Sequence, residues 1–344
     1  MSQTLSADAI AKVCDAQQQL LEPAEMTAVM DAIMRGEVAE ERLVEFLAKL
    51  ADRGETAEEV AAAALALRAH AVRLPLSQPL LLADTCGTGG DGAGTFNVST
   101  LAGLALAACG VPVAKHGNRA ASSRCGSADV LEALGVNIEL PPERVARCIE
   151  EIGFGFLYAR TFHPAMRHAA AARAKVGQRT IFNLLGPLTN PAGPVFQLVG
   201  VSELRFVTLM AQALKTLGAR HAVVVHGLDG LDEVSLSGQT RLADLCAGGI
   251  EVSMVSPMLF GMVPAPRAAV QGGDATANAK IARSLLEGEV SPRRDLVVLN
   301  AGYALYASNR ARSIEEGLAM AESALSSGRA LAKLEALKRF TAAT

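Results

Sequence analysis

Residues 84–100 (Asp84-Thr85-Cys86-Gly87-Thr88-Gly89-Gly90-Asp91-Gly92-Ala93-Gly94-Thr95-Phe96-Asn97-Val98-Ser99-Thr100) set five glycines between two apolar runs, and no other stretch constrains the fold as tightly. The run before it, 79–83, reads as a buried strand, and 98–109, closed by Gly110, reads as a helix. Glycines between strand and helix admit positive φ and let backbone N–H groups approach an anion at the helix N-terminus. The chain must therefore make a strand, a tight polar turn and a helix, which is the geometry of a phosphate cradle. Gly87-Thr88-Gly89-Gly90-Asp91-Gly92 also matches the dinucleotide pattern G-x-G-x-x-G. That pattern needs its helix to open at the glycines and an acid about 20 positions on to hold a ribose hydroxyl. Here the helix opens near Ser99, and the next strand, 111–114, ends in Lys115-His116. No Gly-Lys-Ser/Thr follows, so a Walker loop is excluded too.

From residue 80 onward, strand and helix patterns alternate: strands over 111–114, 154–158, 196–201 and 222–225, and helices over 128–134, 142–152, 163–176 and 204–217. Such alternation predicts an α/β fold with a mainly parallel central sheet flanked by helices. Helices return over 275–286 and 292–306, and again after the capping box Ser313-Ile314-Glu315-Glu316. Residues 1–73 carry only helical spacing, with Met26, Met30, Ile33, Leu43, Phe46, Leu47 and Leu50 at three- and four-residue intervals, and Thr56-Ala57-Glu58-Glu59 is a further capping box. Those apolar residues suit a surface for a partner or second domain and a plain core equally.

Charge is distributed unevenly. Residues 1–60 hold 13 acids against 5 bases, whereas 152–202 hold no acid and five bases, Arg160, Arg167, Arg173, Lys175 and Arg179. A basic region without internal neutralisation attracts small anions or a phosphate backbone, although a solvated helix face explains it as well. With no Trp and 4% aromatic residues, stacking platforms for single-stranded nucleic acid are hard to build. The six cysteines show no C-x-x-C spacing, and there is no signal-like segment or apolar span. Reduced thiols and a cytoplasmic protein are expected, with Cys86 a small buried filler.

In parallel α/β folds ligands gather beyond the carboxyl ends of the strands. Four polar loops, 86–100, 115–127, 160–163 and 227–235, fall in such places. The second, Lys115-His116-Gly117-Asn118-Arg119-Ala120-Ala121-Ser122-Ser123, joins a point charge, a planar fork and hydroxyls without an acid, which suits a phosphate on an organic ligand. The fourth contains Asp232-Glu233, a pair able to share Mg²⁺ with ligand oxygens, though alone it reads equally as a solvated turn. Of the histidines only His116 falls inside a candidate site. His163 reads as a helix N-terminal residue, and His168 and His221 as surface or core polar groups.

Taken together, Asp84 to Asp91, Asn97 to Thr100, Lys115 to Arg119, Gly126-Ser127-Ala128-Asp129-Val130-Leu131-Glu132, Phe162-His163-Pro164-Ala165-Met166, Asn183-Leu184-Leu185-Gly186-Pro187-Leu188-Thr189-Asn190-Pro191 and Gly230-Leu231-Asp232-Glu233 closely resemble the anthranilate phosphoribosyltransferases of tryptophan biosynthesis. The resemblance spans residues 3 to about 340. It implies transfer of the 5-phosphoribosyl group of phosphoribosyl pyrophosphate (PRPP) to the amine of anthranilate. It implies a small all-helical domain (1–73 with about 165–190) hinged to a larger α/β domain (74–164 and 191–344), and a homodimer formed through the helical domain. By matching positions, PRPP would meet Gly87, Gly90, Asp91 and Thr95 in the glycine turn, Asn97, Val98, Ser99 and Thr100 at the helix start, and Lys115, His116, Gly117, Asn118, Arg119, Ala120, Ala121, Ser122, Ser123 and Ser127 beyond the next strand. Mg²⁺ would meet Ser99, Asp232 and Glu233, and anthranilate would meet Gly87, His116, Asn118 and Arg173. No general base is implied, and Lys115 with Mg²⁺ would stabilise the departing pyrophosphate. Departures are small: Leu228 stands where relatives often carry a polar residue, and Ala307-Ser308-Asn309 replaces a more usual glycine turn.

Two other classes share parts of this pattern. A pyrimidine nucleoside phosphorylase would have the architecture and a similar glycine loop without needing the carboxylate pair. A non-catalytic nucleic-acid-binding relative would use the basic stretch, against a net charge of −3.

Overall fold

The computed structural model describes residues 2–15, 19–120 and 124–342. Seven strands form one sheet: β1 (Ala83–Asp84), β2 (Val113–Gly117), β3 (Phe154–Tyr158), β4 (Phe196–Gly200), β5 (His221–Gly227), β6 (Thr240–Cys246) and β7 (Gly249–Val255), in the order β3-β2-β1-β4-β5-β6-β7. The first five run parallel, and β6 and β7 add an antiparallel hairpin at one edge. Strand order reverses between β1 and β4, so the loops after these two strands part and leave a crevice at the carboxyl edge.

Period-two alternation loads both faces of the sheet. Leu198, Val223 and Val225 face a core built from the helices Val98–Ala108, Ala275–Leu286, Pro292–Ala307, Ile314–Ser326 and Arg329–Ala342. Val199, Ala222 and Val224 face the opposite core, shared with the amino-terminal helices Pro23–Met34, Glu40–Arg53 and Ala57–Ala69 and with the later segment from Ala169 to Leu188. Met26, Met30, Ile33, Leu43, Phe46, Leu47 and Leu50 are all buried there, so these apolar residues form a core within the chain. Thr56 and Glu59 make the expected reciprocal cap, and Glu59 lies fully buried, paired with Arg53 and accepting from the Leu21 N–H at 2.8 Å.

Helix Pro142–Ile152 and strand β3 match the sequence reading residue for residue, separated by Gly153 at φ +84°. Elsewhere the structure differs. The apolar run 79–83 enters the sheet only at Ala83, where pairing with Val113 and Phe196 begins, and Leu81 is half exposed. Strand β2 runs on to Gly117, so Lys115 and His116 are strand residues. The expected helix over 163–176 opens as a 3-10 turn, Pro164–Met166, and becomes α-helical only over Arg167–Val176; a short helix Ala159–Phe162 precedes it and stops because Pro164 lacks the N–H that would continue it. The β6–β7 hairpin has no counterpart in the sequence reading. Its two-residue turn, Ala247 (φ +49°) and Gly248 (φ +78°), takes the left-handed geometry hairpins favour without the Asn-Gly signature that announces it.

Candidate active site

All four polar loops meet at the carboxyl edge of the sheet around one cavity of about 940 Å³. That lies at the upper end of the range for small-molecule sites, roughly 300–1,000 Å³. Its walls include Gly87, Gly90, Asp91, Thr95, Asn97, Val98, Ser99, Lys115, His116, Gly117, Asn118, Arg119, Ala120, Ser127, Arg173, Asp232 and Glu233. Thr100 differs from these: it is 1% exposed, its hydroxyl is buried without a partner, and it does not line the cavity. Ala121, Ser122 and Ser123 lie outside the described residues.

The glycine turn is fastened across the switch point. Thr88 N–H donates to the Gly200 carbonyl at the end of β4 (2.8 Å), Ser202 N–H donates to Thr88 Oγ1 (3.2 Å), and Gly89 N–H donates to Asp232 Oδ2 (2.9 Å). Gly89, Gly90, Gly92 and Gly94 all hold φ between +64° and +73°, a conformation that side chains rarely adopt. Gly200 is required for a different reason, since a Cβ there would lie 1.5 Å from the Asp232 carbonyl oxygen. Asn97, just before the helix Val98–Ala108, donates to the Cys125 carbonyl (3.2 Å) and accepts from Asn278 (3.0 Å), so its amide clamps the turn to its neighbours. Cys86 is only partly buried and lines the cavity, and desolvation pushes its thiol up to about 12, so it is neutral rather than a reactive thiolate.

Lys115 is 1% exposed, and its ammonium rests on the Thr85 carbonyl, Thr85 Oγ1 and Ser99 Oγ, each at 3.3 Å. Among the described residues no carboxylate reaches it within ion-pair distance. A buried cation held only by long bonds to neutral oxygens leaves charge available to a ligand anion. Arg119 behaves differently. Its guanidinium is bound by Glu132 and Asp129 from the following helix and donates to Tyr158 Oη at 3.2 Å. The loop itself holds no acid, yet Arg119 is paired by acids ten and thirteen residues on, a pairing that the packing of helix Ser127–Ala133 against the loop creates.

Near Lys115 stand the carboxylates. Burial, then the charge of Asp91 and a hydrogen bond with it, push the Asp232 carboxyl well above its ordinary value. Burial and the charge of Asp232 do the same for Glu233, with Lys115 partly offsetting them. Three carboxylates so placed favour a cation. Among the described residues no three His, Cys, Asp or Glu side chains close around one point. The pair therefore suits a hard cation that completes its shell with ligand oxygens, as Mg²⁺ does.

The basic stretch divides by role. Arg160, Arg167 and Arg173 line the cavity, Lys175 pairs with Glu40 on the outer face, and Arg179 reaches the carbonyls of Gly89 and Gly90. Arg173 lies over the Phe182 ring at 5.2 Å, and burial lowers its pKa, as befits a guanidinium drawn away from solvent. His116 Nδ1 donates to the Gly186 carbonyl (2.9 Å) and leaves Nε2 buried and unpartnered, with burial pushing the imidazole down to about 4. His163, which sequence reasoning places only at a helix start, joins the site. Its ring meets that of His116 edge to face at 5.1 Å, its Nε2 is likewise unpartnered, and burial holds its pKa at about 3. Both rings are neutral acceptors at pH 7. The available signal is its place one residue before Pro164, where a chain leaving β3 must turn toward the cavity.

The model of the glycosyl transferase family a/b domain matches residues 80–331, and that of the same family's helical bundle domain matches residues 7–71. An anthranilate phosphoribosyltransferase from Desulfatibacillum aliphaticivorans is 52% identical over 317 residues, covering 92% of this chain and 94% of the relative. Among solved structures, anthranilate phosphoribosyltransferase from Thermus thermophilus superposes with a TM-score of 0.92 at 49% identity, covering 98% of this chain and 100% of that one. The enzyme from Saccharomyces cerevisiae, 27% identical, superposes at 0.90 in its complex with PRPP and Mg, covering 100% and 99%.

Proposed function

The chain belongs to the anthranilate phosphoribosyltransferases, and we infer that the cavity at the sheet's carboxyl edge is where it performs their reaction. It transfers the 5-phosphoribosyl group of PRPP to the amine of anthranilate, giving N-(5-phosphoribosyl)anthranilate and pyrophosphate, a step of tryptophan biosynthesis. The observation that carries the site assignment is the meeting of unlike charges in one cavity: buried Lys115, resting on neutral oxygens, and the carboxylates of Asp232 and Glu233.

PRPP is placed along the glycine turn, its pyrophosphate toward the amides of Gly87, Gly90 and Asp91, Ser99 Oγ and the Lys115 ammonium, and its ribosyl phosphate toward Asn118, Ala120 and Ser127. Asp232 and Glu233, with Ser99, would hold Mg²⁺, which when bound supplies positive charge against the leaving oxygens. Departure of pyrophosphate builds charge on those oxygens and leaves an oxocarbenium-like ribose. A preset ammonium and fixed N–H groups lower that barrier because they need no rearrangement as charge develops. Arg173 pairs with the anthranilate carboxylate and so aims the amine at C1, a contribution from orientation. Asn118, Gly87 and the neutral His116 ring complete the pocket for the aromatic acid, beside His163.

The division into a helical body (1–73 with about 165–190) and an α/β body (74–164 and 191–344) is supported by the core that Ala169, Ala172 and Ile181 share with the amino-terminal helices. A homodimer through that helical body is supported by the exposed Leu20 and Leu65 on it. A cytoplasmic location is supported by six free cysteines, and among the described residues no helix is long and apolar enough to cross a membrane.

The direct test supplies anthranilate, PRPP and Mg²⁺ to the purified protein and follows anthranilate fluorescence. Depletion that requires all three is expected, and its absence overturns the reading.

A further inference from the structure

Within the basic stretch, Arg179 grips the glycine turn without lining the cavity. Arg179 Nη1 donates to the Gly90 carbonyl at 3.1 Å and Nη2 to the Gly89 carbonyl at 3.4 Å, while Nε lies 3.7 Å from Glu203 Oε1. Its neighbours are tethered on both sides. The Gln178 side-chain amide donates to Asp52 in the helical body (3.2 Å), and Thr180 N–H donates to Asn183 Oδ1 (3.0 Å) next to the fully buried Ile181.

The peptide bonds here are trans, so each carbonyl points opposite to the N–H of the next residue. Fixing the carbonyls of Gly89 and Gly90 outward on one planar fork turns the N–H groups of Gly90 and Asp91 the other way. Gly90 and Asp91 both line the cavity, and among the described residues neither N–H donates to a protein acceptor. Successive free amides in left-handed backbone make an anion-binding concavity. The Gly89 N–H is meanwhile bound by Asp232 at 2.9 Å, so the turn is stretched between a guanidinium behind it and a carboxylate beside it.

We propose that Arg179 is a positioning residue that presets the Gly90 and Asp91 amides as the pyrophosphate nest, tying the shape of the glycine turn to the segment that follows the Arg173 helix. The proposal rests on placing the pyrophosphate at the glycine turn. A guanidinium suits the task because two parallel donors fix two successive carbonyls, which an ammonium cannot do.

The test compares wild type with Arg179→Gln and Arg179→Lys, measuring both KM values, kcat and the binding of inorganic pyrophosphate with Mg²⁺ by calorimetry. Arg179→Gln is expected to raise the PRPP KM and weaken pyrophosphate binding by about tenfold, with the anthranilate KM changed less than about twofold. Arg179→Lys keeps the charge without the fork and should recover less than half of that loss. Hydrogen exchange of peptides covering 86–97 should quicken in both variants. Glu203→Gln, which removes the carboxylate charge 3.7 Å from Nε, should shift pyrophosphate binding in the same direction by about twofold. Unchanged pyrophosphate binding in Arg179→Gln, or full recovery by Lys, overturns the positioning role and leaves the cradle standing. Failure of wild type to bind pyrophosphate overturns the cradle and the proposal with it.

Discussion

His116 and His221 lie at opposite edges of one sheet, His116 near the carboxyl end of β2 and His221 at the start of β5, and both are almost fully buried. Their surroundings differ in completeness. His221 has both ring nitrogens engaged, Nδ1 with Asn309 Oδ1 at 2.7 Å and Nε2 with Asp244 Oδ1 at 3.0 Å, while Tyr306 Oη donates to the second oxygen of Asp244 at 2.9 Å. Burial opposes charge on that ring, but the hydrogen bonds to Asp244 and Asn309 outweigh it and the pKa is raised. His116 has one partner, the Gly186 carbonyl, and its pKa is pushed down to about 4. Burial alone thus says little about function. The edge where ligands bind is marked by groups left incomplete: an imidazole with a bare Nε2, an ammonium on neutral oxygens and carboxylates crowded by like charge. At the other edge the same kinds of group are closed on one another.

If that contrast holds, substitutions at the carboxyl edge should cost catalysis and spare stability, and those at the amino edge the reverse. The largest effect is expected from Asp232→Asn combined with Glu233→Gln, which should lower kcat/KM by about 1,000-fold while leaving the melting temperature of the metal-free protein unchanged or higher, because buried like charges are removed. Steady-state kinetics and calorimetry in chelator would check both halves, and a large loss of stability would break the comparison. Next, Arg173→Ala should raise the anthranilate KM by about 30-fold, well beyond any change for PRPP, since it removes a charge-assisted pair made to one substrate only. Equal changes in both constants would show that Arg173 shapes the cavity rather than meeting anthranilate.

At the opposite edge, His221→Gln should cost about 2 kcal/mol in denaturant unfolding, with kcat/KM altered less than about twofold. The finest expected effect is the pH dependence of that cost. A folded pKa raised above the unfolded value near 6.5 gives a contribution fully present below that pH and lost as pH rises through the folded value. The gap between wild type and His221→Gln should therefore be wider at pH 6 than at pH 9 by about 1 kcal/mol. A gap that widens with pH would mean the ring is neutral in the folded protein.

Much of this architecture can be read from residues close together in the chain. Pro142 opens a helix and Gly153 ends it before β3, and Asp274 caps the helix Ala275–Leu286, each by a local rule that needs no distant partner. The glycine turn is legible because its conformation is demanded by its own backbone. Asn309 departs from a glycine turn, and it nonetheless holds φ +55°, one of the few side chains that tolerate it. The β6–β7 hairpin escapes a local reading because Ala247-Gly248 takes its turn geometry under the pull of pairing on both sides. Arg119 misleads for a related reason. Its acids sit on a helix that returns to it, so the charge balance of the loop cannot be counted along the loop alone.

By itself, then, the sequence determined the alternation of strand and helix, the cradle's glycines and the chemical types brought to the site. Tertiary structure alone decided which groups are complete and which are not. Thr100 is buried behind the cavity wall at the start of its helix, and His163 gained a place at the cavity because Pro164 ends a helix beside His116. Arg179 came to grip Gly89 and Gly90 across 89 residues of chain. The physical reason is that local conformation follows from short-range sterics and hydrogen bonding. Desolvation and partnering depend on what distant segments bring to the same few ångströms, and those two effects set the charge state and reactivity of every group in the cavity.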